Sequence, residues 1–202
     1  MGAMTSAPVS QRGLREVTRR AVQAEIAARA MELFLEQGFD ETTVDQVAAA
    51  VGMSGRSVFR YFATKEDMVL GDMLQIGHAL AAALQSRPAE EPPWEALRRA
   101  LDEPLDALKS DGGKALARAT MLATTPALRA AAQQKHTQWE ELLLPYVVQR
   151  MTGPAATREL RAHAIVSAAL SCLDVAVEMW TRSGGTKALD TLLDTAIQAV
   201  RS

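Results

Sequence analysis

The first 65 residues carry three runs of apolar positions at helical spacing. The longest run begins at Val22, and Gly38 follows it as a natural left-handed cap, so we expect helix one to end near Gln37. Two short helices follow, the first capped by the pair Thr42-Thr43 and the second by Ser54. The apolar positions that define these helices are Val22, Ile26, Ala30, Leu33 and Phe34, then Val44, Val47, Ala48 and Val51, then Val58 and Phe62.

Six longer amphipathic segments follow, separated by proline and glycine. Thr64 caps the first of them, and Asp67 stands where a capping box requires an acceptor. We expect helices over 64–86, 94–110, 114–124, 127–151 and 157–183, and a last one carrying Leu189, Leu192, Leu193, Ile197 and Val200. No strand pattern and no internal repeat interrupts them. The pattern therefore predicts an all-α fold of about nine helices.

Composition supports helices and limits the chemistry. Hydrophobic residues make up 48% of the chain, charged residues 23% and aromatic residues only 4%. The apolar stretch 162–180 includes His163, Asp174 and Glu178, which are costly in a bilayer, so we expect a buried helix of a soluble protein. The single Cys172 cannot form an intrachain disulfide, and no Cys/His cluster offers a metal site. We expect no metal, no cofactor and a cytoplasmic location.

The pattern divides the chain into three regions. Residues 1–15 precede the first apolar run and are expected to be a disordered tail, in which Met1, Gly2 and Ala3 before Met4 resemble an expression scar. No signal peptide is expected, because no apolar core follows the early charges. Residues 16–65 form the three-helix region, and residues 66–202 form a larger helical domain.

Residues 43–61 have the length and turn of a helix-turn-helix, whose second helix enters the major groove of DNA. If Val58 and Phe62 point inward, Arg56, Phe59 and Arg60 share the opposite face, with Ser57 and Tyr61 beside them. Arginine reads guanine, tyrosine and serine hydroxyls suit phosphates, and an apolar ring can contact a thymine methyl. We expect Arg56 to read bases.

Thr43 and Lys65 lie at helix N-termini, where we expect them to contact phosphates. The net charge of −2 gives no support for DNA binding, although residues 1–65 have eight basic residues against seven acidic ones. Four of these cations precede helix one, where they either reach phosphates or remain in a solvated tail: Arg12, Arg15, Arg19 and Arg20. Spacing alone also fits an ordinary helical bundle.

The segment GFDETTVDQVAAAVGMSGRSVFRYFATKEDMV, residues 38–69, resembles the DNA-binding signature of the TetR family of bacterial transcriptional regulators. The resemblance implies a three-helix DNA-binding domain, a homodimer on palindromic operator DNA, and the family's YF-x-x-K arrangement at Tyr61, Phe62 and Lys65. It also implies DNA-binding roles for Thr43, Ser54, Gly55, Arg56, Ser57, Phe59, Arg60, Tyr61 and Lys65.

The last two predicted helices have the character of a dimer interface. Within 162–180 the polar residues form one narrow stripe, so apolar surface remains nearly all round the helix. Paired with the final amphipathic helix, it could form half of an intermolecular four-helix bundle, as TetR-like proteins use their last two helices. The alternative is the central helix of a monomer.

The region between these helices and the loop at Pro92 combines apolar surroundings with a few polar groups, as small-molecule pockets do. Candidate effector-binding residues are Trp94, Arg118, Met121, Thr125, His136, Trp139, Glu140 and Leu143. The last four fall at i, i+3, i+4 and i+7 on one helix face. The alternatives are a partly buried face with surface pairs and, for Met121, Met179 and Trp180, core packing.

Residues 119–143, ATMLATTPALRAAAQQKHTQWEELL, also resemble the acyl-CoA-like ligand-binding domain of regulators near mycofactocin genes. The implied effector is an acyl thioester or similar amphiphile, with Arg98, Arg99 and Arg118 as candidate phosphate partners.

Two other classes of protein compete with a regulator. An all-α enzyme would use His136 and Glu140 as an acid/base pair, but no nucleophile elbow, metal triad or phosphate loop accompanies them. A structural adaptor protein would not need an outward helix face that carries Arg56 and Arg60. We expect no enzyme but a ligand-responsive repressor, in which effector binding changes the helix 64–86 and so the separation of the two half-site contacts.

Overall fold

The structure is a computed structural model that describes residues 11–71, 73–110 and 113–201. These residues form α-helices and connecting turns, with no strand among them. The helices are α1 (Gln11–Gln37), α2 (Val44–Ala50), α3 (Gly55–Val58), α4 (Glu66–Leu70), α5 (Met73–Ser86), α6 (Pro93–Ala100), α7 (Asp102–Ser110), α8 (Lys114–Thr124), α9 (Pro126–Gln149), α10 (Ala155–Arg182) and α11 (Leu189–Arg201).

The all-α prediction is confirmed, and the described residues contain eleven helical segments because two predicted helices are each divided in two. The first break follows α4 at Gly71, where a Cβ would lie 2.8 Å from the Asp67 carbonyl oxygen and 3.1 Å from the Phe62 ring. The second falls at Leu101, between α6 and α7. The predicted capping box before α4 is present, since Thr64 and Asp67 exchange backbone-to-side-chain hydrogen bonds of 3.2 and 3.1 Å.

The chain divides into two compact units, one extending to Gly71 and the other covering the remainder. The first unit therefore ends six residues after the boundary expected at Lys65 and includes α4. Helix α1 begins at Gln11, so the last five residues of the expected disordered tail are helical, which corrects that prediction. Within this extension, the Leu14 carbonyl oxygen accepts a hydrogen bond from the Thr18 hydroxyl at 2.9 Å, one turn later. Residues 1–10, with the proposed scar, lie outside the described residues.

The first unit is built on apolar side chains of α1, α2, α3 and α4. Gly38 ends α1 in the left-handed conformation, with φ 95°, as the sequence predicts. Its backbone N–H donates to the carbonyl oxygen of Phe34 at 3.0 Å. The buried residues that fill this core include Ile26, Ala30, Phe34, Phe39, Val47, Ala48, Val58, Phe62 and Met68.

The second unit centres on α9 and α10. Helix α9 packs against α5, α8 and α10, and α10 also packs against α11. Among the described residues, α10 is the one helix long and apolar enough to cross a membrane by length and composition, and its inner face packs in the core. Cys172 lies on that inner face, where burial raises the pKa of its thiol.

A close approach in this core joins α5 to α9. Trp139 packs on Gly77 so tightly that a Cβ at Gly77 would lie 2.5 Å from indole Cδ1 and 2.6 Å from Nε1. The same indole N–H donates to the Met73 carbonyl oxygen at 2.8 Å. Glycine in the middle of α5 is therefore required by packing, although it weakens a helix on its own.

We predict that Gly77→Ala destabilises the protein by about 1–3 kcal/mol, because the methyl group forces the indole out of place. Urea unfolding at fixed protein concentration measures the change. In a Trp139→Leu background the same substitution should instead stabilise, by about 1 kcal/mol, because only helix propensity remains. Destabilisation of equal size in both backgrounds would contradict this account of Gly77.

Candidate nucleic-acid interface and effector region

The helix-turn-helix begins with a capping box at α2. The Gln46 backbone N–H donates to Thr43 Oγ1 at 3.2 Å, and the Thr43 backbone N–H donates to Gln46 Oε1 at 2.7 Å. The Thr43 cap is thus confirmed, and Gln46 completes it. Thr42 beside it is buried and donates to the carbonyl oxygen of Gly38 at 2.8 Å.

A tight turn connects α2 to α3. Gly52 has φ 66°, and the Met53 backbone N–H reaches the Ala48 carbonyl oxygen at 2.8 Å. Ser54 then caps α3 as predicted, because its Oγ accepts from the Ser57 N–H at 3.2 Å. The Ser54 and Ser57 hydroxyls also contact each other at 3.0 Å.

Gly55 has a packing role that the sequence does not reveal. A Cβ at this position would lie 2.5 Å from Oδ1 of Asp45 on α2. The absence of a side chain therefore lets the first turn of α3 approach the α2 carboxylate closely. This close approach fixes the angle between the two helices.

The inward and outward faces of α3 are those the sequence predicts. Val58 is fully buried and Phe62 nearly so, whereas Arg56 and Arg60 are exposed. Phe59 is 52% exposed, which is a large apolar surface to leave in water without a partner. Ser57 and Tyr61 are half-buried beside this face.

Lys65 makes contacts that spacing could not show. Its ammonium donates to the carbonyl oxygens of Phe39 at 2.7 Å and Thr42 at 3.2 Å, and it lies 4.2 Å from the centre of the Phe39 ring. An ammonium has three N–H donors, so these two carbonyl oxygens leave one of them. Lys65 thereby ties the loop between α1 and α2 to the start of α4.

Two residues of α1 contact the chain after α3. Gln23 Nε2 donates to the carbonyl oxygen of Tyr61 at 3.0 Å, and Arg19 reaches the carbonyl oxygen of Arg60 at 3.4 Å. The Arg19 guanidinium also lies 5.9 Å from the centre of the Tyr61 ring. Of the four early cations, Arg15 and Arg20 are exposed, and the side chain of Arg12 lies outside the described residues.

The predicted effector-binding face of α9 is largely a helix interface. Trp139 and Leu143 are buried in the core. His136 Nδ1 lies 3.2 Å from Oδ2 of Asp174 on α10, and its ring centre lies 5.2 Å from that of Trp139.

Glu140 accepts a 2.8 Å hydrogen bond from the Ser167 hydroxyl on α10. These contacts agree with the stated alternative of a partly buried face with polar pairs, because the i, i+3 and i+4 residues contact α5 or α10.

The other candidates lie on α6 and α8. Met121 is buried, which agrees with the alternative interpretation that it packs in the core. Trp94 is half-buried against the core. Arg118 and Thr125 are half-buried on α8 and at the junction of α8 with α9. Within the part of the chain that the structure describes, no group of three or more His, Cys, Asp or Glu side chains could hold a metal ion.

Two of the three candidate phosphate partners are already paired with carboxylates. Arg98 binds Asp102 and also Asp194 on α11. Arg99 lies 3.4 Å from Glu91, and hydrogen bonding from Arg87 lowers the pKa of the Glu91 carboxyl.

Comparisons with known proteins agree with this arrangement. Residues 26–71 match the family model described as bacterial regulatory proteins, tetR family, and residues 91–202 match the MftR C-terminal domain. The HTH-type transcriptional regulator TcmR of Streptomyces glaucescens is 30% identical over 197 residues, covering 94% of this chain and 87% of that protein. The putative mycofactocin biosynthesis regulator MftR of Mycobacterium tuberculosis is 27% identical over 163 residues, covering 81% of each.

A similar fold occurs in the TetR-family repressor FadR of Thermus thermophilus, solved with lauroyl-CoA. The TM-score is 0.56 at 22% identity, over 87% of this chain and 91% of that one. Both resemblances stated from the sequence are thus confirmed, and so is the expectation of no enzyme, because the family and these relatives are transcriptional regulators. The chain belongs to the TetR family of bacterial transcriptional regulators, with a C-terminal domain of the MftR type.

Proposed function

We propose that the protein represses transcription in the cytoplasm as a homodimer on a palindromic operator, and that an acyl thioester or similar amphiphile releases it. The observation that carries the DNA-binding part is the exposed face of α3. Arg56, Phe59 and Arg60 point away from a core that holds Val58, and the cap at Ser54 fixes the helix start. Guanidinium groups and an apolar ring on one turn suit base edges and thymine methyls in the major groove.

The phosphate contacts are assigned to groups around this helix. Thr43, Ser57 and Tyr61 supply hydroxyls, and Lys65 supplies its remaining N–H donor. Ser54 and Gly55 place the start of α3, where backbone N–H groups can approach the DNA backbone. Arg56 lies in this first turn and is the residue that we assign to base recognition.

We predict that selection from randomised duplexes at stated salt enriches a palindrome. On that duplex Arg56→Ala should reduce discrimination at one base pair of each half-site by about 1–3 kcal/mol. Lys65→Met should weaken binding to all duplexes and reduce the salt slope by about 1, since one phosphate contact is lost. Thermal unfolding of this variant measures the separate effect of losing the contacts with the Phe39 and Thr42 carbonyl oxygens.

Arg182→Ala is the matched control for loss of a cation. Arg182 lies on α10, is 68% exposed and pairs with Glu178 of its own helix. Neither selectivity nor salt slope should change in this variant. Failure to enrich any sequence would contradict the operator proposal, and unchanged selectivity in Arg56→Ala would contradict the assigned base contact.

The dimer is assigned to α10 and α11. In the described part of the second unit, the exposed large apolar side chains all belong to these helices: Leu160 at 70%, Val175 at 51%, Met179 at 36% and Val200 at 56% exposure. On α10 they continue through Ala164, Ala168 and Ser171, so small or apolar residues follow one another every three or four positions. A second copy covering this stripe would complete a four-helix bundle.

We predict that Val175→Lys converts the dimer to monomer, because it places a charge in the covered stripe. Sedimentation velocity measures the oligomeric state, and palindrome binding should weaken while single half-sites are bound as before. Leu35→Lys, at a 50% exposed position of α1, is the control and should stay dimeric. A dimeric Val175→Lys protein would place the interface elsewhere.

The effector class is supported by the MftR-type C-terminal domain and by the fold shared with the FadR repressor that was solved with lauroyl-CoA. Half-buried apolar and polar side chains of α8 and α9, among them Arg118 and Thr125, are the assigned surroundings of the ligand. Because Trp139 of α9 binds the first residue of α5, movement of α9 would shift α5, which follows α4 along the chain.

We predict that lauroyl-CoA lowers affinity for the enriched palindrome by about 5–150-fold, the range of an ordinary allosteric coupling. Trp139→Phe keeps an aromatic ring but loses the N–H that donates to the Met73 carbonyl oxygen. In this variant the fold change in operator affinity caused by lauroyl-CoA should fall towards one. Fluorescence anisotropy with labelled duplex measures both.

Trp180→Phe on α10 is the control substitution, and free CoA is the control ligand. Trp180→Phe should leave the effect of lauroyl-CoA unchanged, and free CoA should not lower operator affinity. Equal operator affinity with and without saturating lauroyl-CoA would contradict the acyl thioester class.

A further inference from the structure

We infer that Gln23, assisted by Arg19, is a positioning residue for operator recognition that holds the turn directly after the recognition helix through its backbone carbonyls. The inference rests on the proposed operator binding. Neither residue need touch a base for this role. Gln23 is uncharged and half-buried, and its amide N–H groups point at the Tyr61 carbonyl oxygen, 38 residues further along the chain.

The recognition helix needs support at this end because it is short. Helix α3 is four residues long, and the chain continues through turn hydrogen bonds from Tyr61 and Phe62 to the Val58 carbonyl. Arg60 and Tyr61 lie in this turn after α3, where no further helical turn supplies donors to their carbonyl oxygens. Gln23 supplies a donor to Tyr61 at 3.0 Å, and Arg19 supplies one to Arg60 at 3.4 Å.

The two contacts differ in strength. The Gln23 bond is the shorter and less exposed of the two, so it should contribute more. Arg19 adds a cation 5.9 Å from the centre of the Tyr61 ring, which restrains the side chain as well as the backbone. Because Arg60 and Tyr61 lie on this turn, holding their carbonyls restricts where both side chains can point.

The opposite end of the helix is fixed independently. Ser54 caps the first turn, and Gly55 lies directly against Asp45 of α2. The N-terminal end is thus set by α2 and the turn, and the C-terminal end by α1. A loss of the α1 contacts should therefore disturb Arg60 and Tyr61 more than Arg56.

The test uses the full-length protein with the palindrome enriched by the wild type and a scrambled duplex of the same length. Gln23→Met keeps the length of the side chain and removes its N–H donors without changing charge. We expect affinity for the palindrome to fall by about fivefold, the effect of one lost hydrogen bond. Affinity for the scrambled duplex and the salt slope should stay as in the wild type, because no phosphate contact is lost.

Two further comparisons separate positioning from charge and from stability. Arg19→Ala and Arg20→Ala remove the same charge at adjacent positions, but Arg20 contacts Glu16 on the surface of α1. Arg19→Ala should lose selectivity between palindrome and scrambled duplex, Arg20→Ala should keep it, and Arg19→Lys should restore part of it. Thermal unfolding shows whether Gln23→Met is folded. If it is not, Gln23→Asn replaces it in the test, because its amide is too short to reach Tyr61, and the same loss of palindrome affinity is expected.

Two results would overturn the inference while leaving operator binding intact. One is palindrome affinity within twofold of the wild type in a folded Gln23→Met or Gln23→Asn protein. The other is an equal loss on both duplexes, which would indicate general destabilisation. If the wild type enriches no sequence, the operator proposal and the inference both fail.

Discussion

A recognition helix of a single turn cannot hold its own conformation, and the first unit is organised around that constraint. Nucleating a helix costs more than one turn of hydrogen bonds returns, so packing and capping must supply the difference. Val58 anchors α3 in the core, Ser54 caps its start, and Gly55 lets it lie against α2. Lys65 fixes the loop between α1 and α2 and so holds α2 in place. The side chains of Arg56, Phe59 and Arg60 lie outside this core, so the packing that holds α3 does not restrict which residues stand there.

The helices of the second unit need no such local support, because they are long enough to be stabilised by packing. Helix α11 is held against α6 and α7 by ion pairs: Arg201 with Glu95 at 2.8 Å, Lys109 with Asp190 at 2.9 Å, and Arg98 with Asp194. Exposed ion pairs contribute little each, about 0–1 kcal/mol. The rotation of α11 follows instead from its apolar face, since Leu193 and Ile197 are buried in the core while Val200 is exposed, and the ion pairs are compatible with that orientation.

Local signals in the sequence predicted most helix ends correctly, because caps and glycine breaks act within a few residues. Gly38, Thr43 and Ser54 are examples in which one residue type determines a boundary. The contacts that the sequence did not predict connect distant parts of the chain. Trp139 and Met73 are 66 residues apart, and Gln23 and Tyr61 are 38 apart, so no window of local periodicity includes both partners. The early start of α1 was missed for a related reason, since its first turns are polar and expose Leu14 and Val17, and so lack a core-facing stripe.

The effector region illustrates why periodicity cannot separate a binding face from a packing face. Both require apolar residues with a few polar ones at i, i+3, i+4 and i+7, and on α9 that pattern meets α5 and α10. His136 and Glu140 pair with Asp174 and Ser167 there, so a ligand that bound either of them would have to break an existing contact. The cost is small at Asp174, whose side chain is 51% exposed to water. An effector that binds beside these pairs and leaves them intact avoids that cost. The side chains of Arg118, on α8, and of Thr125, between α8 and α9, are in none of the side-chain hydrogen bonds described for the second unit, so the proposed effector could contact them without breaking such a pair.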